Sequence, residues 1–184
     1  MSPRAHTPPD QEVLRTRILA ALRTVPDFPA PGVMFMDIMP ALGNAELLKD
    51  LIAGLAAPWW DARITHVAGI ESRGFILGAP MAIALGAGFI AVRKPGKLPW
   101  RTERQDYSLE YGTGSLEVHA DASPEGARVL VVDDVLATGG TARAACDLVR
   151  RTGGEVVGCS FLLSVPGLNG RERLGDVPTV CLVP

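Results

Sequence analysis

Along the chain the apolar positions change period several times, and each change marks an element. Val13, Leu14, Ile18, Ala21, Leu22 and Val25 recur at helical spacing, which predicts a helix over 11–25. Pro26, Pro29, Pro31 and Gly32 forbid its continuation, so 26–40 is expected to follow an irregular path. Asn44 stands where it can cap a second helix, running through Leu55 and stopping before Pro58. A short apolar run over 64–70 reads as a buried strand that empties into Glu71-Ser72-Arg73-Gly74. Residues 74–85 predict a helix and 89–92 the next strand. The charged stretch 94–114, with its prolines and glycines, predicts a long loop or loose hairpin. Weak alternation over 115–119 suggests an edge strand. Residues 128–132 form an uninterrupted valine-rich run, the mark of a central parallel strand covered on both faces. A helix over 141–151, stopped by Gly153 and Gly154, and strands over 156–165 and 179–183 complete the pattern.

Strands alternating with helices predict an α/β fold around a central, mainly parallel sheet. Such sheets bind ligands beyond the carboxyl ends of their strands, so the loops after Ile70, Val92 and Val132 become the candidate site. The 184 residues contain no repeat or linker, which predicts one domain over 1–184 with a flexible arm at 1–10. A net charge of −2 argues against a nucleic-acid partner held by blanket phosphate neutralisation. Cys146, Cys159 and Cys181 sit among apolar residues without C-x-x-C spacing, so buried reduced thiols are expected rather than a zinc site. No apolar run reaches the roughly 18 residues of a membrane helix, and the first residues lack the apolar centre of a secretory signal. The expectation is a cytoplasmic protein without a membrane partner.

The segment VLVVDDVLATGGT, residues 129–141, carries the strongest chemistry. A buried strand delivers two carboxylates, Asp133 and Asp134, and a turn of small residues then opens a helix. Ala137, Thr138, Gly139, Gly140 and Thr141 leave room for successive backbone N–H groups to surround an anion. The helix start adds its positive dipole end. Two carboxylates beside that cradle can accept hydrogen bonds from vicinal hydroxyls, so the pair describes a sugar phosphate. A P-loop is excluded, since Gly140 precedes Thr141 and not the required lysine, and no G-x-G-x-x-G is present.

This segment resembles the signature of the type I phosphoribosyltransferase family. The resemblance implies that fold, with a hood over the base at its N-terminal end. It implies phosphoribosyl pyrophosphate as donor, its 5′-phosphate on residues 137–141 and its ribose hydroxyls on Asp133 and Asp134. Mg²⁺ is implied as a cofactor carried mainly by the substrate, without direct protein ligands.

Further segments are similar to the adenine branch of the family, which implies adenine as acceptor and AMP and pyrophosphate as products. PDFPAPGVMFMDI resembles the base-covering segment within the hood, 26–40. There Phe35 would stack on the ring and the main chain of Met34 and Met36 would face it, with Val135 nearby. Met36 stands where relatives such as the mammalian enzyme have Arg. AGIESRGF resembles the pyrophosphate loop, with Ser72 and the catalytic Arg73 as donors and, usually, a cis peptide before the Ser. RKPGKLP supplies Arg93, Lys94 and Lys97 for pyrophosphate and by resemblance lies at a homodimer interface. YSLEYGTGSLE resembles a flexible catalytic loop spanning 94–114, in which Glu110 would act as general acid/base beside Tyr111. GLNGRERL, 167–174, resembles a C-terminal helix with no evident chemistry. A phosphoribosyltransferase for a 6-oxopurine such as xanthine, and a ligand-sensing regulator on the same fold, stay open as alternatives.

Overall fold

Residue-level patterning places the valine-rich run at the centre of a five-stranded sheet. The computed structural model describes residues 10–28, 30–108 and 113–184. Its central sheet contains β3 (His66–Ile70), β4 (Gly88–Val92), β7 (Arg128–Leu136), β8 (Glu155–Ser164) and β9 (Thr179–Val183), in the order β4-β3-β7-β8-β9. Every pairing within it is parallel. Val129, Leu130, Val131 and Val132 are fully buried because helices cover both faces. On one face α1 (Gln11–Ala21), α2 (Met39–Leu42) and α3 (Ala45–Ala56) pack with α4 (Arg73–Leu85) around Leu14, Ile18, Leu51 and Leu55. The other face is covered by α5 (Gly140–Arg151), whose Ala145, Cys146 and Leu148 meet Val129, Val131 and Phe161.

The local signals explain most boundaries. Asp10 accepts from the amides of Glu12 and Val13 and so caps α1. The Asn44 side chain accepts from Leu47 N–H at 3.0 Å, as the cap reading expects, and α3 gives way to a short 3₁₀ turn, Ala57–Trp59. Gly86, at φ 65°, ends α4 in the left-handed conformation that glycine adopts without cost.

Three expectations need correction. The first helix stops at Ala21, and Arg23–Val25 instead forms β1, paired antiparallel with β2 (Phe35–Asp37). Pairing with a distant segment overrides the helical spacing there, and it gives the hood a strand where an irregular path was expected. The second correction concerns 94–119. Here β5 (Thr102–Ser108) and β6 (Thr113–His119) make a regular antiparallel hairpin with seven paired positions. Residues 115–119 therefore belong to a separate ribbon and not to the edge of the main sheet, which they touch through the Arg93–Glu117 bridge. Third, β7 does not stop at Val132 but runs on to Leu136, keeping Asp133 and Asp134 inside the strand. The three cysteines are free and buried, as expected.

Candidate active site

The extension of β7 fixes the acid pair in space. The Asp133 and Asp134 side chains lie within interaction distance of each other, and Arg73 is close to both. Asp134 is 6 % exposed, and its amide donates to Asp133 Oδ1 at 2.9 Å. Arg73, the first residue of α4, donates through Nε to Asp134 Oδ2. Such an approach requires a glycine next in sequence: a Cβ on Gly74 would lie 2.8 Å from the Val132 carbonyl oxygen and 2.9 Å from Asp133 Oδ1. Burial, together with the neighbouring Asp134 charge, pushes the Asp133 carboxyl well above the ordinary aspartate range.

Beyond the pair, the chain turns into α5 through Ala137, Thr138 and Gly139. Gly139 holds φ 76°, and Gly140 opens the helix. The backbone N–H groups of residues 137–141 donate to no protein acceptor among the described residues. Buried amides without partners cost free energy unless a ligand or water accepts from them. A row of them at a helix N-terminus is an anion cradle. These are the residues that sequence reading assigns to a phosphate, Ala137, Thr138, Gly139, Gly140 and Thr141.

The strand β3 leads into the second loop, whose Glu71–Ser72 peptide is cis, matching the expectation from resemblance. Ser72 precedes α4 without capping it, which leaves its hydroxyl available. Glu71 Oε2 accepts from Arg93 Nε and from Lys94 N–H, each at 3.1 Å. Burial raises the Glu71 carboxyl, but the Lys94 amide and the Arg93 guanidinium outweigh it, and the group ends below the ordinary glutamate range. Arg93 also donates to the Lys97 carbonyl at 3.0 Å and lies 5.9 Å from the Phe75 ring centroid. Arg93 is thus tied into the loop, whereas the Lys94 and Lys97 side chains are exposed and form no ion pair among the described residues.

Phe35 faces this constellation from the hood. The Arg73 guanidinium carbon lies 5.5 Å from its ring centroid, and Phe28 meets it edge-on at 5.1 Å. Met34 and Met36 are exposed, and strand alternation turns both away from the Phe35 side. The Met36 sulfur accepts a contact from Thr24 Oγ1 at 3.7 Å. Val135 is half-buried against the core that holds Ile38 and Leu163. Glu110 and Tyr111, expected to act in the catalytic loop, lie outside the described residues.

Sequence reasoning passed over two contributors. Arg151, at the end of α5, donates to the Arg104 carbonyl at 2.6 Å and to Gln105 Oε1 at 2.5 Å, binding the hairpin to the cradle's own helix. No local pattern announces a contact 47 residues away. The other is α6 (Gly170–Leu174), which packs against the cradle. Sequence analysis reads this helix by resemblance over 167–174 and gives it no chemistry.

Comparisons with known proteins show what the chain as a whole is similar to. The model of the phosphoribosyl transferase domain matches residues 41–182. An adenine phosphoribosyltransferase of Thermobifida fusca is 57 % identical over 156 residues, covering 85 % of this chain and 89 % of the relative. The crystal structure of adenine phosphoribosyltransferase from Rhodothermus marinus superposes with a TM-score of 0.89 at 53 % identity, covering 94 % and 98 % of the two chains. The enzyme from Saccharomyces cerevisiae, solved with an imino-altritol bisphosphate and adenine, gives 0.88 at 36 % identity, with 94 % and 99 % covered.

Proposed function

The chain belongs to the phosphoribosyltransferase family, and from that premise we propose that it is a purine-salvage glycosyltransferase joining adenine to phosphoribosyl pyrophosphate to give AMP and pyrophosphate. The observation that carries this reading is the row of unpaired amides over 137–141 beside the Asp133–Asp134 pair, with Phe35 and Arg73 opposite. A sugar 5-phosphate fits the cradle, its 2′- and 3′-hydroxyls fit the carboxylates, and a planar base fits against Phe35. Identity of 57 % to an adenine enzyme supports adenine among the bases.

In this reading adenine N9 attacks C1′ as the C1′–O bond to pyrophosphate breaks. Arg73, Ser72, Lys94 and Lys97 offset the charge that builds on the leaving oxygens. Arg93 acts through the loop, since Glu71 and the Lys97 carbonyl already hold it. Glu110 takes the proton that N9 gives up. Among the described residues no group of three carboxylate, His or Cys side chains could hold a metal. Mg²⁺ carried by the substrate would, when bound, neutralise pyrophosphate charge. The protein is proposed to work in the cytoplasm, in keeping with its free buried thiols, which cell fractionation checks.

Base choice follows from fixed backbone polarity. Strand β2 pairs with β1 on one edge, and the main chain of Met34 to Met36 on its other edge has no partner among the described residues. Adenine offers a donor at its 6-amino group and an acceptor at N1, and 6-oxopurines reverse both. Main-chain groups cannot rotate to suit both patterns, and such a mismatch costs about 10⁴ in selectivity. A pyrophosphate-release assay run with adenine, hypoxanthine, guanine and xanthine should show turnover with adenine alone, and Met36→Ala should keep that preference. Comparable turnover with a 6-oxopurine would overturn the assignment. In the same assay Glu110→Ala should lower kcat at least tenfold with the donor KM unchanged.

A further inference from the structure

Two glycines far apart in sequence meet beneath the cradle. A Cβ on Gly170 would lie 2.1 Å from the Ala137 carbonyl oxygen and 3.1 Å from Gly139 N. Seen from the other side, a Cβ on Gly139 would lie 2.3 Å from the Gly170 carbonyl oxygen and 3.1 Å from Arg173 Cβ. Both residues are buried. Separations below about 3 Å cannot be accommodated without backbone movement, since both contacts are to main-chain atoms and not to flexible side-chain ends. Ala137 and Gly139 belong to the row whose amides have no protein acceptor. The Leu136 and Gly139 carbonyls on either side accept from Val165 and Arg143, each at 2.9 Å, and between them the peptides rest on the neighbour that packs against them.

That neighbour is held firmly. Leu174 at the end of α6 is 1 % exposed in the core shared with α5. The Val165 amide donates to the Leu136 carbonyl at 2.9 Å, tying the chain that leads to α6 to the last residue of β7. Asn169, at φ 51°, turns the chain so that Gly170 arrives backbone first.

We propose that Gly170 is a positioning residue for phosphate binding: α6 serves as the back wall that holds the amides of 137–141 converged on one anion. This rests on the reading of 137–141 as the 5′-phosphate cradle. Gly170 touches no reacting atom and acts through Ala137 and Gly139.

The test separates phosphate affinity from folding and from base binding. Gly170→Ala should raise the KM for phosphoribosyl pyrophosphate and the Kd for AMP at least tenfold, with the KM for adenine within twofold. Leu174→Ala, which weakens α6 without entering the contact, should lower Tm and leave AMP affinity within twofold. Thr141→Ala tests the cradle independently. If it leaves AMP affinity intact, the cradle reading itself fails. If it weakens AMP while Gly170→Ala binds normally, only the back-wall role is overturned. Hydrogen exchange on the unaltered protein covers the case in which Gly170→Ala does not fold. AMP should slow exchange over both 137–141 and 168–174, and adenosine, lacking the phosphate, should slow neither. Protection of 137–141 alone would overturn the proposal.

Discussion

Asp133 carries a conflict between folding and binding that can be measured. Its carboxyl is raised by burial and by the Asp134 charge, so folding favours the protonated form. The sign follows: a raised carboxyl contributes stability below its unfolded value near about 4, and that contribution is lost as pH rises through the folded value. At neutral pH the ligand-free protein therefore bears a penalty for this group. Asp133→Asn keeps the oxygen that accepts from the Asp134 amide and removes the charge. The variant should melt higher than the parent at pH 7, and the difference should vanish toward pH 4. Each tenfold change in proton affinity corresponds to about 1.4 kcal/mol, and each kcal/mol to roughly 2–4 °C at this chain length. Donor binding should move the other way, with kcat/KM for phosphoribosyl pyrophosphate falling at least tenfold as a charged hydrogen-bond acceptor is lost. Calorimetry and steady-state kinetics on one preparation check both. A variant that melts lower at neutral pH, or keeps its donor affinity, would refute this account of Asp133.

At the scale of elements, the regular hairpin β5–β6 decides between the long loop and the loose hairpin expected over 94–114. Its paired strands and the Arg151 clamp hold 102–108 and 113–119 in place and leave the approach over 94–101 outside the ladder. Trypsin reports this with useful resolution. Lys94 precedes Pro95 and resists cleavage, Lys97 and Arg101 lie before β5, and Arg104 lies within it. Without ligand, early cuts should follow Lys97 or Arg101 and spare Arg104, because paired backbone does not fit a protease cleft. Phosphoribosyl pyrophosphate with Mg²⁺ should slow them. Arg151→Ala should expose Arg104, and early cleavage after Arg104 in the parent would refute the clamp. The same element shows where the sequence was and was not legible. Alternation over 115–119 was too weak to reveal a partner, and the charges of 102–108 (Glu103, Arg104, Asp106) hid a strand that lies on α5 and not in the core. By contrast the central strands, the Asn44 cap and the acid pair were readable, because burial and capping impose local residue choices. Contacts set by distant packing, such as Gly139 with Gly170 or β1 with β2, leave almost no local trace.

For the whole molecule, the sheet order leaves β4 at an edge, and that edge is apolar. Ile76 and Ile83 lie seven residues apart on one face of α4, exposed by 42 % and 82 %. Phe89 of β4, 39 % exposed, meets Phe75 at 5.8 Å between ring centroids. Single exposed apolar residues are ordinary, but several on α4 and the edge strand β4 make this side a candidate interaction surface. Closed twofold pairing is the commonest way such a surface is covered in a soluble chain. We propose that this face is the homodimer interface, next to the 93–99 segment that carries the pyrophosphate cations. Sedimentation equilibrium should then give about twice the chain mass of 19.5 kDa. Ile83→Asp places a charge where burial would leave it unpaired, so it should run near 19.5 kDa with an unchanged circular dichroism spectrum. Turnover should fall with the dimer if Lys94 or Lys97 serves the neighbouring subunit, and the loss should shrink at protein concentrations that restore association. A parent protein that sediments as a monomer, or an Ile83→Asp variant that stays dimeric, would move the interface elsewhere or remove it. In either case the cradle, the acid pair and Phe35 would still have to account for the reaction within one chain.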